Sequence, residues 1–367
     1  MKENRSIYRI LDASLNRSCE GLRTLEEASR FILDCSELAC CFKELRHQVV
    51  KLARSFPRDC LLRSRDTESD VGTNLEATDE YARQDLTDVV AAAASRVQQS
   101  LRVLEEYGKV IDPTAAKKIE QIRYRLYTAS AKLELSLSQS CRRQRIRNSF
   151  LYVLVDAGES YDDYENKIRM LADSAVDVVQ LRDRSVSDRA LLRRAQAGVK
   201  MMRDAGKLFI VNDRVDLAIA ADADGVHVGQ DELPVQQVRQ IIGENRLVGV
   251  STHHISEAKK AVAEGADYLG CGPVFPSRTK SFERFPGINF LSEVAMSSEV
   301  SVPCFAIGGI EKANLGAVLD AGFYRIAVAG ALSCSQDLVE TASFFEENLR
   351  GADPRNSQSI EEPPGAD

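Results

Sequence analysis

The 367-residue chain has no Trp, only 6% aromatic residues, and a net charge of −7. Few rings means few platforms for stacked bases, and an acidic balance gives no attraction to a phosphate backbone or an anionic membrane surface. A nucleic-acid partner is therefore not expected. No uninterrupted apolar stretch approaches the ~18 residues of a spanning helix. The amino terminus, MKENRSIYRILD, also lacks the apolar core of a signal segment, so a cytoplasmic protein without a membrane partner is expected. The nine cysteines are an odd, scattered set in which Cys40 and Cys41 are adjacent, with no C-x-x-C pair and no Cys/His cluster of zinc spacing. Reduced structural thiols fit that pattern. A G-x-x-x-x-G-K-[ST] phosphate loop is missing too.

What is present is ordinary for a globular protein, 44% hydrophobic and 28% charged residues, in a chain long enough for two domains. Up to about Cys141 the apolar spacing is helical almost throughout, and a repeat is visible. NRSCEGLRTLEEASRFI (16–32) aligns without gaps on SRVQQSLRVLEEYGKVI (95–111), matching Arg17 to Arg96, Leu22-Arg23 to Leu101-Arg102, and Leu25-Glu26-Glu27 to Leu104-Glu105-Glu106. Further helical stretches follow each copy, at 36–55 and 114–135, so two helical hairpins with approximate two-fold symmetry are predicted. Arg23/Glu27 and Arg102/Glu106 have the i,i+4 spacing of an exposed ladder. Their recurrence, while Cys19/Gln98 and Ala28/Tyr107 drift, suggests instead a self-complementary interface or a duplicated pocket, the pocket being favoured. Residues 64–78, polar and containing Gly72, read as a long loop, functional or disordered. The predicted domains are a bundle at 1–141, an arginine-rich run with a solvated surface at 142–150 that reads as a linker or the end of the last bundle helix, a second domain at 151–350 and a disordered polar tail at 351–367.

From Leu151 short apolar runs alternate with helical patterns. Strands are predicted at 151–156, 176–182, 208–213, 225–229, 247–251, 268–272, 304–308 and 325–329. About eight strand–helix units in roughly 200 residues make a (β/α)₈ TIM barrel, whose active site lies on the loops that follow the strands. The competing open doubly wound sheet would carry a G-x-G-x-x-G after its first strand, and none is there.

The second domain turns on FIVNDRVDLAIAADADGVHVGQDELP, which reads as strand, short helix, strand with acids at both strand ends. Neighbouring parallel strands lie roughly 4.8 Å apart. Asp213 and either Glu232 or Asp231 are thereby candidates to converge on a hard cation such as Mg²⁺, with a diphosphate as its companion. Taken alone, two solvated acids near helix starts are the simpler reading. In the second strand, alternation sends Gln180 and Arg182 to the barrel mouth with Arg184 beyond, and a buried Arg there calls for an anionic ligand. The fifth strand offers Ser251, and the sixth leads to Ser277, Thr279 and Lys280. The seventh ends at Gly308-Gly309 and the eighth at Ala329-Gly330, the usual place for a phosphate in this fold. His227, inside GVHVG, reads as a hydrogen-bonded barrel residue rather than a base, and His253 and His254 have no supporting pattern.

QLRDR, VNDRVDLAIAADADGVHVGQDEL, GVSTH, GADYLGCGPVFPSRTK and the IGGI turn resemble, in order and spacing across 151–350, the thiamine phosphate synthase family. The resemblance implies that hydroxymethylpyrimidine diphosphate is joined to thiazole phosphate, or its carboxylated form, with release of pyrophosphate. It implies that Gln180, Arg182, Arg184, Asn212, Ser251 and Lys280 hold the pyrimidine diphosphate, Arg182, Lys280 and Ser251 being the catalytic candidates. Asp213 and Glu232 would bind Mg²⁺, and Ser277, Thr279, Gly309, Ala329 and Gly330 the thiazole phosphate. Three positions depart from the family's habit: Arg184 for Lys, Ser277 for Thr and Glu232 for Asp, each keeping the charge or hydroxyl. The bundle resembles a helical domain fused to such synthases and proposed as an alternative hydroxymethylpyrimidine phosphate kinase; an interaction module is the competing reading. For the barrel the rivals are one that only tautomerises or binds thiazole phosphate, against which Arg182, Asp213 and Lys280 together argue, and a non-catalytic sensor. Homo-oligomerisation is left open by the sequence.

Overall fold

The computed structural model describes residues 2–68, 70–71, 83, 85–276, 286–333 and 337–357. It divides into two units, Met1–Ser140 and Cys141–Asp367. The first is all helical: α1 (Lys2–Phe31), α2 (Ser36–Ala53), α3 (Arg58–Ser64), α4 (Leu86–Ile111) and α5 (Pro113–Asn148), the last running on into the second unit. Chain punctuation explains the starts. Asp85 accepts hydrogen bonds from the Thr87 and Asp88 amides ahead of α4, and Asp112 accepts from the Thr114 and Ala115 amides ahead of α5, whose first residue is Pro113. The repeat is carried into three dimensions: Leu22 and Leu25 of α1 and their counterparts Leu101 and Leu104 of α4 are all fully buried. Gly21 lets the two helices close up, since a Cβ there would lie 2.4 Å from Val97 Cγ2.

The repeated LEE triplet splits in its roles. Glu26 and Glu105 turn inward and are buried, each accepting an Nε–H at 2.9 Å from the second helix of its own hairpin, Arg46 and Arg123. Glu27 and Glu106 turn outward and pair with Arg23 at 2.8 Å and Arg102 at 2.9 Å on the exposed face. The pocket expected for Glu27 and Glu106 is therefore corrected to a solvated ladder. One residue of helix is about 100° of rotation, enough to move the next glutamate from the interface to water. α3 was not foreseen by the sequence pattern.

In the second unit eight parallel strands close in chain order, β1 (Leu151–Val155), β2 (Val178–Leu181), β3 (Leu208–Asn212), β4 (Gly225–Val228), β5 (Leu247–Thr252), β6 (Tyr268–Cys271), β7 (Cys304–Ile307) and β8 (Ile326–Val328), with β8 pairing back to β1. Alternation sorts the residues. Val153, Val179, Phe209, Val211 and Val226 face the outer helices, whereas Tyr152, Val178, Leu208, Ile210, Leu247, Tyr268, Phe305 and Ala327 fill the barrel. Glycine makes this filling possible at one place: a Cβ on Gly249 would stand 2.1 Å from the Tyr268 ring.

The floor of the barrel is tied by carboxylates just ahead of β2, β4 and β6. Asp177 accepts from the Phe150 and Leu151 amides, Asp224 from Phe209 and Asp267 from Val248. The end of α5 then docks on these acids. Arg142 Nε donates to Asp224 at 3.0 Å, Arg143 Nε to Asp267 at 2.8 Å, and Ile146, 1% exposed, joins the interior cluster. Residues 142–150 are accordingly the end of the last helix rather than a linker; they are helical to Asn148, belong to the barrel unit, and do not form the solvated surface expected of them. The tail predicted to be disordered begins with the end of the helix Leu338–Gly351 and a short helix, Pro354–Ser357, where Arg355 pairs with Asp353. Residues 358–367 lie outside the described residues. No helix among the described residues is long and apolar enough to cross a membrane.

Candidate active site

β3 ends at Asn212, and the next residue, Asp213, takes a left-handed φ of 60°. That conformation is uncommon outside glycine, though Asp tolerates it, and it concentrates where a side chain must be re-aimed. The Asp213 amide donates to the His227 carbonyl of β4 at 2.8 Å, which fixes the turn. Glu232, in the loop after β4, comes to the same place: Arg184 Nη2 donates to Asp213 Oδ2 at 2.6 Å and to Glu232 Oε1 at 2.9 Å. The Asp213 carboxylate first, then Glu232, raises the Arg184 pKa. Asp231 is exposed and does not share in this arrangement.

Two carboxylates reaching one nitrogen atom mark a position for positive charge. Arg184, on a 72% exposed side chain, occupies it. The donors are hard oxygens, suited to a divalent cation of the Mg²⁺ kind, which commonly takes one or two carboxylates and completes its shell with water and substrate phosphates. No group of three or more His, Cys, Asp or Glu side chains able to hold a metal occurs among the described residues.

Deeper in the mouth Gln180, 2% exposed, donates its amide Nε2 to Asn212 Oδ1 at 2.8 Å. This pair ties the ends of β2 and β3 together across the mouth. Ser251, on the inward face of β5, lies with its Oγ 3.0 Å from His227 Nε2, and Tyr268 Oη is 3.3 Å from His227 Nδ1. Burial holds the His227 pKa down at about 4, with Asp213 pulling the other way, so the imidazole is neutral at neutral pH. Burial also pushes the Tyr152 and Tyr268 phenols up. His227 is thus a hydrogen-bonded interior residue, and His253, just past β5, pairs with Glu257.

Arg182 lies just past β2, near enough to His227 for its charge to act on the imidazole, and it is exposed, so only its expected burial is corrected. The cost of a buried cation does not arise there. On the far side, Gly308 (φ 103°) and Gly309 (φ 62°) follow β7, and a Cβ on Gly309 would come within 2.5 Å of the Pro276 carbonyl. Ala329 and Gly330 follow β8 on the neighbouring strand. Ser277, Thr279 and Lys280 lie outside the described residues. The sequence reading missed Asp183, which accepts from the Ala157 and Ser185 amides and so anchors the loop that carries Arg184. It also missed Tyr152 and Tyr268, whose signal was their inward position in β1 and β6.

Fold and strand-end groups define the class, a (β/α)₈-barrel enzyme with a polar site at the carboxyl ends of its strands. Residues 151–332 match the family model of thiamine monophosphate synthase, and residues 9–132 match that of the ThiD2 family. The thiamine-phosphate synthase of Rhodopirellula baltica is 46% identical over 351 residues, 95% of this chain and 94% of the relative. That of Synechocystis sp. is 41% identical, covering 89% and 92%. Among solved structures, thiamine phosphate pyrophosphorylase from Pyrococcus furiosus superposes with a TM-score of 0.51 at 30% identity, over 56% of this chain and 98% of that one. The chain belongs to the thiamine-phosphate synthase family.

Proposed function

We propose that the barrel joins hydroxymethylpyrimidine diphosphate to thiazole phosphate, or its carboxylated form, and releases pyrophosphate. The observation that carries this reading is the convergence of Asp213 and Glu232 on a single cation position at the ends of β3 and β4. In the reaction the bond from the pyrimidine methylene carbon to the diphosphate oxygen breaks, its electron pair leaving with pyrophosphate. The thiazole nitrogen supplies the pair for the new C–N bond and becomes the thiazolium nitrogen of the product. Charge therefore builds on the leaving diphosphate, and stabilising it there lowers the barrier.

The Gln180–Asn212 pair orients the pyrimidine ring. Arg182 and Arg184 face the diphosphate, and Arg184, held by Asp213 and Glu232, is positioned to donate to its phosphate oxygens. Asp213 and Glu232 are the residues that would hold Mg²⁺, which when bound would supply further charge neutralisation to the leaving group. Ser251 directs its hydroxyl at the same substrate, Lys280 is assigned to the diphosphate, and Ser277, Thr279, Gly309, Ala329 and Gly330 to the thiazole phosphate. Incubating the protein with both substrates and Mg²⁺ tests this: stoichiometric pyrophosphate and thiamine phosphate are expected, and binding without pyrophosphate release would return the barrel to the sensor reading.

For the helical unit the corresponding proposal is phosphorylation of the pyrimidine monophosphate, which would feed the barrel. Its support is the ThiD2 match together with polar groups buried in α1, where Asp12 pairs with Arg65 and Ser18 Oγ has no hydrogen-bond partner among the described residues. The same chain supplied with the monophosphate and ATP should then yield the diphosphate.

A further inference from the structure

A file of hydrogen bonds runs through the barrel interior to Ser251. Tyr152 Oη (β1) is 3.1 Å from Tyr268 Oη (β6), Tyr268 Oη is 3.3 Å from His227 Nδ1 (β4), and His227 Nε2 is 3.0 Å from Ser251 Oγ (β5). Both tyrosines are buried, and among the described residues the Tyr152 hydroxyl meets no other hydrogen-bond partner. That dead end sets the direction of the whole file, because a buried donor without an acceptor is costly.

Tyr152 has one proton and one place to send it, the Tyr268 oxygen. Tyr268 must then donate its own proton to His227 Nδ1, which leaves the imidazole proton on Nε2, pointing at Ser251 Oγ. Ser251 accepts, and its hydroxyl proton is free for the mouth. In the opposite order Nδ1–H donates to Tyr268, Tyr268 to Tyr152, and the Tyr152 proton has no acceptor, while Ser251 spends its proton on Nε2. A doubly protonated ring fails the same count, since it too sends a proton toward Tyr152.

We propose that Tyr268, backed by Tyr152, is a positioning residue that fixes His227 as its Nε2–H tautomer and so presents Ser251 to the substrate as a hydrogen-bond donor. The proposal rests on the reading of Ser251 as a substrate-facing group. A donor aimed at a developing oxyanion is commonly worth two orders of magnitude in rate or more. Tyr268 acts on that donor from behind, through two intervening bonds, and touches no substrate.

The test uses the full chain labelled with ¹⁵N-histidine, the His227 resonances being assigned from their loss in His227→Gln. The wild type should show Nε2 protonated and Nδ1 bare. Tyr268→Phe, which removes one oxygen and leaves the ring in place, should give a mixture of tautomers and lower kcat at least tenfold with little change in KM. Tyr152→Phe should keep the wild-type tautomer, because Tyr268 still has only Nδ1 to donate to. In a Ser251→Ala background Tyr268→Phe should cost nothing further. A wild type protonated on Nδ1, or losses from Tyr268→Phe and Ser251→Ala that simply add, would overturn the proposal. The tautomer is read without substrate, so failure to form pyrophosphate would strike the functional reading while the spectrum still decides this one.

Discussion

Arg184 is the side chain on which the charge of the barrel mouth balances. It pairs with Asp213 and Glu232 together through one oxygen of each, beside the place where the diphosphate is proposed to lie. His227, nearby, carries a different electrostatic consequence. Its pKa of about 4 in the folded chain lies below the ordinary value of 6.5. As pH falls the unfolded chain binds the proton first, so the stability contributed by the neutral ring is complete above pH 6.5 and is lost as pH drops toward 4. Roughly 3 kcal/mol is at stake. Denaturant unfolding of the wild type and of His227→Gln at pH 7 and near pH 4.5 should show a shallower pH dependence in the variant. Equal dependence would mean that His227 titrates normally.

At the scale of elements, the last turns of α5 show what a local pattern hides. Four arginines, at 142, 143, 145 and 147, surround Ile146 and read as solvated surface, yet the partners of the first two, Asp224 and Asp267, lie 82 and 124 residues further along. No window of sequence contains both members of those pairs. Truncating Ile146 to Ala should destabilise the barrel transition by roughly 2–4 kcal/mol through the lost methylenes and the cavity left behind. A loss under about 0.5 kcal/mol would place it on the surface after all. The bundle offers a parallel contrast between exposed and buried acids. Glu27→Gln combined with Glu106→Gln should cost about 1 kcal/mol or less, since each exposed i,i+4 pair is worth about 0.3–0.5. Glu105→Ala alone should cost roughly 3 kcal/mol by stranding Arg123, itself nearly buried. Thermal melts of the two variants side by side check the ordering.

At the scale of the whole molecule, the barrel was legible because parallel strands covered on both faces are short apolar runs ended by polar residues, and those ends are also where its polar site is assembled. The predicted 208–213 and the observed Leu208–Asn212 differ only by Asp213, the residue whose left-handed backbone ends the strand. Gln180, Asn212, Asp213, Ser251 and Glu232 were legible as strand-end groups, whereas the pairing of Arg184 with both acids depends on loop conformation, which periodicity does not encode. The two-unit division was visible as a change of texture near residue 150, but the unit boundary falls at Ser140–Cys141, inside a continuous helix, because α5 is shared by the two units.

The central claim is that Asp213 and Glu232 form one cation position that serves the departure of the diphosphate. Its most direct test is the Mg²⁺ dependence of pyrophosphate release by the full chain and by Asp213→Asn and Glu232→Gln, with both substrates saturating. The account predicts saturable activation of the wild type, and in each folded variant a loss of roughly 10²-fold or more at limiting Mg²⁺ that higher Mg²⁺ partly restores. Variants that release pyrophosphate at the wild-type rate when Mg²⁺ is limiting would contradict it.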